Sequence, residues 1–289
     1  MPSWSLHCLG GEAVRVSRGS ELRLADAAWP VLGCLLSAPR RALTRGQLAA
    51  ALWPNQSDDS ARHCLATALW RIRTRSENFG DCLTARGETI ALAENRSIWI
   101  DAVAFAARAE AALRDPARLR QPGERHRLRR ALGLYRGDFL PERDQERIVV
   151  ERERLRALYL DALFELATAE ALAGEWSLAR QSTRRLCADE PLREDAQRLY
   201  IQTLERTGNR GLAIQQYHEL EALLARELAV RPAAETIALA RKIGVPGVEP
   251  PRHDETVRPA PEALGQAALL RVRQDLTRAL STIDAMLAG

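Results

Sequence analysis

Along residues 60–77, SARHCLATALWRIRTRSE, apolar side chains recur three and four positions apart. Ala61, Leu65, Ala68, Leu69 and Ile72 trace one stripe, while His63, Thr67, Trp70, Arg71 and Thr74 lie largely opposite. The spacing predicts an amphipathic helix, with Ser57, Asp58 and Asp59 at its positive N-terminal end. Upstream, short β-prone runs at 6–9, 13–16 and 21–24 are separated by Gly10-Gly11 and Gly19-Ser20, the punctuation of a small antiparallel sheet. DAAWPVLGCLLSAP then reads as a helix capped by Asp26 and ended by Pro39. TRGQLAAALWP reads as a second, capped by Thr44 and stopped by Pro54. Downstream, CLTARGETIAL and SIWIDAV read as short strands around a turn at Arg86-Gly87. The predicted order is sheet, three helices, β-hairpin: a winged helix-turn-helix with the third helix as reader and the hairpin as wing.

From residue 101 the pattern changes to almost continuous helix, rich in Ala, Leu, Arg and Glu and broken by Gly, Pro or a capping residue. Gly174 and Gly208 stand 34 residues apart, as do Ala179 and Ala213, and Pro191 closes the first unit. That is the tetratricopeptide period, degenerate because Ala225 stands where a second Pro would fall. Helix pairs of this kind bury their apolar stripes only by stacking, which produces a curved array with a concave face. Tyr135, Phe139, Leu155, Tyr159, Leu163, Leu199 and Tyr217 read as core between helices, a ligand box being the sharper alternative. GDFLP, 137–141, reads as a turn between helices that packs on the winged helix.

The fold class expected is therefore mainly α with a small β part: a winged helix over 1–101, then an all-α tetratricopeptide-like domain over 102–245. Residues 246–262 are Pro-rich and read as an extended linker. Residues 263–289 carry apolar residues at heptad positions, among them Leu269, Val272, Leu276 and Ile283. Three heptads leave three roles open for that amphipathic helix: homodimerisation, docking on the array's groove, or grip on a partner.

Composition removes several classes of function. No apolar run approaches the roughly 18 to 20 residues of a membrane span, and the N-terminus lacks the basic start and apolar core of a signal peptide, so a cytoplasmic protein with no membrane partner is expected. Five cysteines are odd in number and scattered without a CxxC pair, which points away from a disulfide framework or zinc site. No catalytic motif and no phosphate-cradling glycine loop occurs, so neither enzyme, metal nor cofactor is expected. Net charge is only +4, yet residues 60–75 hold four arginines and no acid. Positive charge is thus concentrated on one element, as phosphate contact requires. A solvated basic face is the plainer alternative.

Double-stranded DNA is the partner this chemistry fits. A reader helix in the major groove would bring Arg71, with Arg62 or Thr67, to base edges, where Arg suits a bidentate bond to guanine and Thr can meet the thymine methyl. Arg73, Arg75 and Arg86 are placed for phosphate or minor-groove contact, which positions without specifying. His63 shares the outer face. Two readings stand for Trp70: packing on the sugar-phosphate edge or a thymine methyl, and anchoring against the second domain or a partner subunit. Arg127, Arg129 and Arg130 form a second basic cluster that widens the DNA footprint, faces polymerase, or is a solvated helix face.

Several strings also resemble a known group. LTRGQLAAALWP, WRIRTR and LTARGETIAL are similar to the second-helix, reader and wing segments of the OmpR-type winged-helix domain of bacterial transcription regulators. In that resemblance Thr84 and Arg86 of the wing, with Arg71 and Arg73 of the reader, reach the DNA. Trp70 stands where a polar or basic residue is usual, and Ile90 replaces the usual wing aromatic. ALGLYRGDFLP, ERERLRALYLDALFELA and the string from DEPLREDAQRLY to RPAAET resemble the bacterial transcriptional activator domain. Together they cover about residues 5–243 and match the architecture of SARP-type activators. What the resemblance implies is binding to direct repeats near promoters and recruitment of RNA polymerase. A repressor with the same domains, or a repeat scaffold whose winged helix no longer binds DNA, are the alternatives.

Overall fold

The first strand stops where a carboxylate takes over its amides. β1 (Trp4–His7) pairs antiparallel with β2 (Ala13–Val16), which pairs antiparallel with β3 (Glu21–Leu22). Beyond His7, the Cys8 and Leu9 amides donate to the Asp101 carboxylate at 2.9 to 3.2 Å. The strand therefore lies two residues earlier than the 6–9 run predicts. The computed structural model describes residues 4–16, 21, 22, 24–75, 82–93 and 98–248. The side chain of Arg75, most of the Pro-rich linker and the tail helix with its dimerising role lie outside them.

Helix α1 (Ala28–Leu36) begins after Ala27 without a side-chain cap. The expected cap, Asp26, is instead drawn to Arg143 at 2.6 Å, an ion pair that competes with a role at the helix end. A short 3-10 turn leads into β4 (Ala42–Thr44), which the apolar pattern did not reveal, then α2 (Arg45–Leu52). Thr44 does cap α2: its hydroxyl accepts from the Gln47 amide at 3.2 Å, and the Gln47 side chain accepts from the Thr44 amide at 2.9 Å. After α3 (Asp58–Arg75) come β5 (Leu83–Arg86) and β6 (Thr89–Leu92), and β4 joins β6 to make a three-stranded wing sheet. β7 (Ile98–Ile100) leaves the wing and pairs parallel with β1, Leu6 beside Ile100. Both of those side chains are buried, so β7 closes the core and delivers the chain to the helical part.

That part comprises α4 (Asp101–Arg114), a 3-10 segment (Pro116–Arg120), α5 (Pro122–Leu132), the long α6 (Glu146–Leu172), α7 (Trp176–Asp189), α8 (Glu194–Arg206), α9 (Arg210–Leu228) and α10 (Ala234–Lys242). The short α10 was not anticipated as a separate element. The repeat is visible in the helix ends. Gly174, Gly208 and Gly244 all adopt φ of +75° to +79°, and after each the next amide reaches back five residues: Glu175 to Glu170, Asn209 to Leu204, Val245 to Ala240. This is the Schellman closure, in which a left-handed glycine satisfies carbonyls that the helix leaves open. Ala179 and Ala213, one period apart, are both fully buried. Of the expected core aromatics and leucines, only Leu199 is half-buried rather than buried.

Winged helix and array belong to one contact unit, Met1–Val245. The GDFLP turn does pack on the N-terminal sheet: the Gly10 amide donates to the Asp138 carbonyl and the Leu140 amide to the Cys8 carbonyl, both at 2.9 Å. Gly10 has φ of +86°, and a Cβ there would sit 2.9 Å from the Arg136 carbonyl carbon, so only glycine fits. Gly33 lets α1 approach α6 in the same way, since a Cβ would lie 2.5 Å from the Ile148 side chain. Arg143 clamps the junction, donating to both Glu12 oxygens at 2.6 and 2.8 Å.

Candidate nucleic-acid interface

Two acids, Asp58 and Asp59, begin α3, where the exposed amides of a first helical turn favour negative charge. The stripe predicted from the sequence is the buried one: Ala61, Leu65, Ala68, Leu69 and Ile72 are each at most 5 % exposed. α3 is thereby fixed against α1 and α2, and its other described side chains are exposed apart from the half-buried Cys64 and Thr67. At about 100° per residue, His63, Thr67, Trp70 and Thr74 fall along the centre of that outer face. Arg62 and Arg73 fall on one flank and Arg71 on the other. Trp70 is 60 % exposed, an unusual position for so large an apolar side chain. The Thr67 and Thr74 hydroxyls donate to the His63 and Trp70 carbonyls at 3.1 and 2.9 Å, which ties both donors to the helix and leaves their methyl groups and oxygen lone pairs.

The wing stands beside this face because its turn is bonded to the helix-turn-helix. The Arg45 amide, first in α2, donates to the Glu88 carbonyl at 2.7 Å. Gly87 takes φ of +56° at the first position of the two-residue turn, a place that favours glycine. A cleft of about 370 Å³ lies between, lined by Arg45, Arg62, Leu65 and Glu88. Thr84 and Arg86 are exposed on β5, and the Thr84 hydroxyl donates to the Ala91 carbonyl at 3.4 Å. The structure thus brings Arg62 to the wing turn, and adds Arg45, which sequence reasoning missed. Its signal was available: it follows the capping Thr44 directly.

Ion pairing separates these arginines from two of the cluster in α5. Among the described residues, Arg45, Arg62, Arg71, Arg73 and Arg86 form no ion pair. The second cluster expected in α5 behaves differently. Arg129 donates to Glu170, a fully buried carboxylate, at 2.5 Å, and Arg127 to Glu124 at 2.6 Å. Both charges are met by carboxylates, although Arg127 stays exposed, and of the three only Arg130 has no partner among the described residues.

Fold and face together define a winged helix whose third helix carries an unpaired cationic outer face, joined to a tetratricopeptide-like array. The profile of the bacterial transcriptional activator domain matches residues 100–244. Regulatory protein AfsR of Streptomyces griseus is 30% identical over 244 residues, 80% of this chain and 24% of that protein. A solved structure of Mycobacterium tuberculosis EmbR, in complex with a low affinity phosphopeptide, superposes with a TM-score of 0.68 at 21% identity. The match covers 84% of this chain and 65% of that one. The chain thus spans about a quarter of the length of AfsR and about two thirds of the solved EmbR chain. It belongs to the bacterial transcriptional activator domain family and is of the SARP type.

Proposed function

We propose that the chain is a sequence-specific DNA-binding transcription activator of the cytoplasm. Residues 1–101 bind double-stranded promoter DNA at direct repeats, and residues 102–245 present the array to RNA polymerase. The observation that carries this reading is the set of exposed, unpaired arginines on α3 and the wing, laid over a stripe that is wholly buried. Cations without internal partners are what phosphate contact needs, since no existing ion pair must first be broken. The helical positions refine the roles. Trp70, His63 and Thr67 face the groove floor, where an indole edge and threonine methyl can meet thymine methyls. Arg62 and Arg73 on one side and Arg71 on the other straddle the groove, with Arg71 in reach of a guanine. Thr84 and Arg86 hold the wing to the adjacent backbone or minor groove.

Membership of the bacterial transcriptional activator domain family and the likeness to the regulatory protein AfsR support regulation; activation in particular is carried by the family. The test is recovery of bound fragments from sheared genomic DNA, followed by affinity measurement at several salt concentrations. A shared repeated motif is expected, with affinity falling steeply as salt rises. Absence of any enriched sequence, or undiminished binding by an Arg71→Ala/Arg86→Ala double variant, would overturn the assignment.

A further inference from the structure

A further cluster of arginines borders the turn that joins the N-terminal sheet to the array. The 135–138 turn, α6 and α7 enclose a cleft of about 250 Å³. Tyr135 and Tyr159 form its floor, stacked at 4.3 Å with planes 12° apart. The Arg185 guanidinium lies 5.1 Å from the Tyr159 ring centroid and donates to the Tyr135 carbonyl at 2.9 Å. Arg156 approaches Asp138 only at 3.9 Å, and Arg136 has no ion pair among the described residues. Asp138 is already held by the Tyr135 hydroxyl at 3.0 Å. Three guanidiniums therefore border the cleft with most of their donors unused.

The floor adds an independent sign. Tyr159 is only 2% exposed, yet its hydroxyl has no hydrogen-bond partner among the described residues. Buried hydroxyls are ordinarily paired, and one left open beside a cleft is suited to a ligand. Burial pushes its pKa up to about 12, so it remains an O–H donor at neutral pH. Both Arg185 and Asp189, which border the cleft, act on this phenol electrostatically.

We propose that this cleft binds a small organic anion, a carboxylate or phosphate ester. Its charged group is held by Arg156 and Arg185, Arg136 closes the rim, and a further oxygen accepts from the Tyr159 hydroxyl. Asp138 and Asp189 also line the cleft, and against its three guanidiniums they leave a net charge of +1. The turn that forms one wall also binds the N-terminal sheet through the Gly10 and Leu140 amides, so occupancy stiffens the junction between sheet and array. This site does not depend on the DNA-binding reading.

The full chain is titrated calorimetrically with inorganic phosphate, malate and phenyl phosphate. Saturable binding of at least one is expected, weakened about tenfold or more by Arg156→Gln or Arg185→Gln, as loss of a charge-assisted hydrogen bond implies. Tyr159→Phe keeps the ring stack and weakens binding about threefold or more. Arg71→Ala/Arg86→Ala, which alters only the reader and wing, leaves it unchanged. In the unaltered protein, the bound probe shifts the amide resonances of 135–138 and slows hydrogen exchange at Gly10 and Leu140. No saturable heat with any probe overturns the proposal. So does binding that survives Arg156→Gln and Arg185→Gln, or binding that shifts no resonance in 135–138.

Discussion

The arginines of α3 and those of the helical array are the same residue put to opposite uses. Arg62, Arg71, Arg73 and Arg86 are exposed without ion pairs among the described residues, the first three above a helix face of Ala, Leu and Ile. In the array several are structural. Arg125, its side chain 4% exposed, donates to Glu175 at 2.6 Å and to the Leu119 and Arg120 carbonyls at 2.9 Å, fastening the 3-10 segment to the end of α6. Arg152 donates to three carbonyls around the 139–143 bend. An arginine adds stability where it satisfies buried acceptors, and it is free to bind a partner where the protein supplies none. Local charge density does not distinguish the two cases, because α5 and α3 are comparably basic.

The sharpest way to break that contrast is to remove one arginine from each region. Arg129→Met leaves the Glu170 carboxylate buried beside Ser182 without its cation. A loss of about 2 to 3 kcal/mol is expected, below the value for a wholly buried pair because Arg129 is partly exposed. Denaturant unfolding measures it, and DNA affinity of the folded variant should be unaltered. The reader gives the converse. Arg71→Ala/Arg86→Ala should lower DNA affinity about tenfold or more and reduce the log-log salt slope by about one, the share of the Arg86 backbone contact. Its unfolding midpoint should match wild type, with a difference under about 0.5 kcal/mol. Equal destabilisation of the two variants would erase the distinction.

A pH titration sharpens it further. Hydrogen bonds from Arg125, with its charge, hold the Glu175 carboxyl below the ordinary value of 4.5. A lowered acid contributes stability above the unfolded-state value and loses it as pH falls through the folded-state value. Wild type should therefore lose stability more steeply than Glu175→Gln once pH drops below 4.5. Urea midpoints across that range test this, and parallel curves would mean that the clamp carries no linkage. The smallest effect concerns Arg73 alone. Arg73→Ala should leave stability unchanged and reduce the salt slope by about one, with sequence preference intact.

Much of this arrangement is legible along the chain. The three-and-four spacing in α3 selected five side chains, and all five are buried; the Thr44 cap and the 34-residue glycine period likewise match the helix ends. What failed was non-local. β7 looked like part of the wing and instead pairs with β1; Asp26 looked like a cap and instead binds Arg143, more than a hundred residues away. Arg129, in a cluster that reads as a solvated helix face, a wider DNA footprint or a polymerase contact, is instead bonded to the buried Glu170, 41 residues away.

The sequence by itself determined which face of each helix is apolar, where helices begin and end, and where glycine must turn the chain, because these depend on neighbours within a turn or two. Only the tertiary structure decided which charges remain available. A guanidinium's partner lies wherever another element places a carboxylate or carbonyl. At Asp101, three amides from two segments, those of Cys8, Leu9 and Ala102, converge on one buried side chain. That convergence is a property of packing, and no local pattern encodes it.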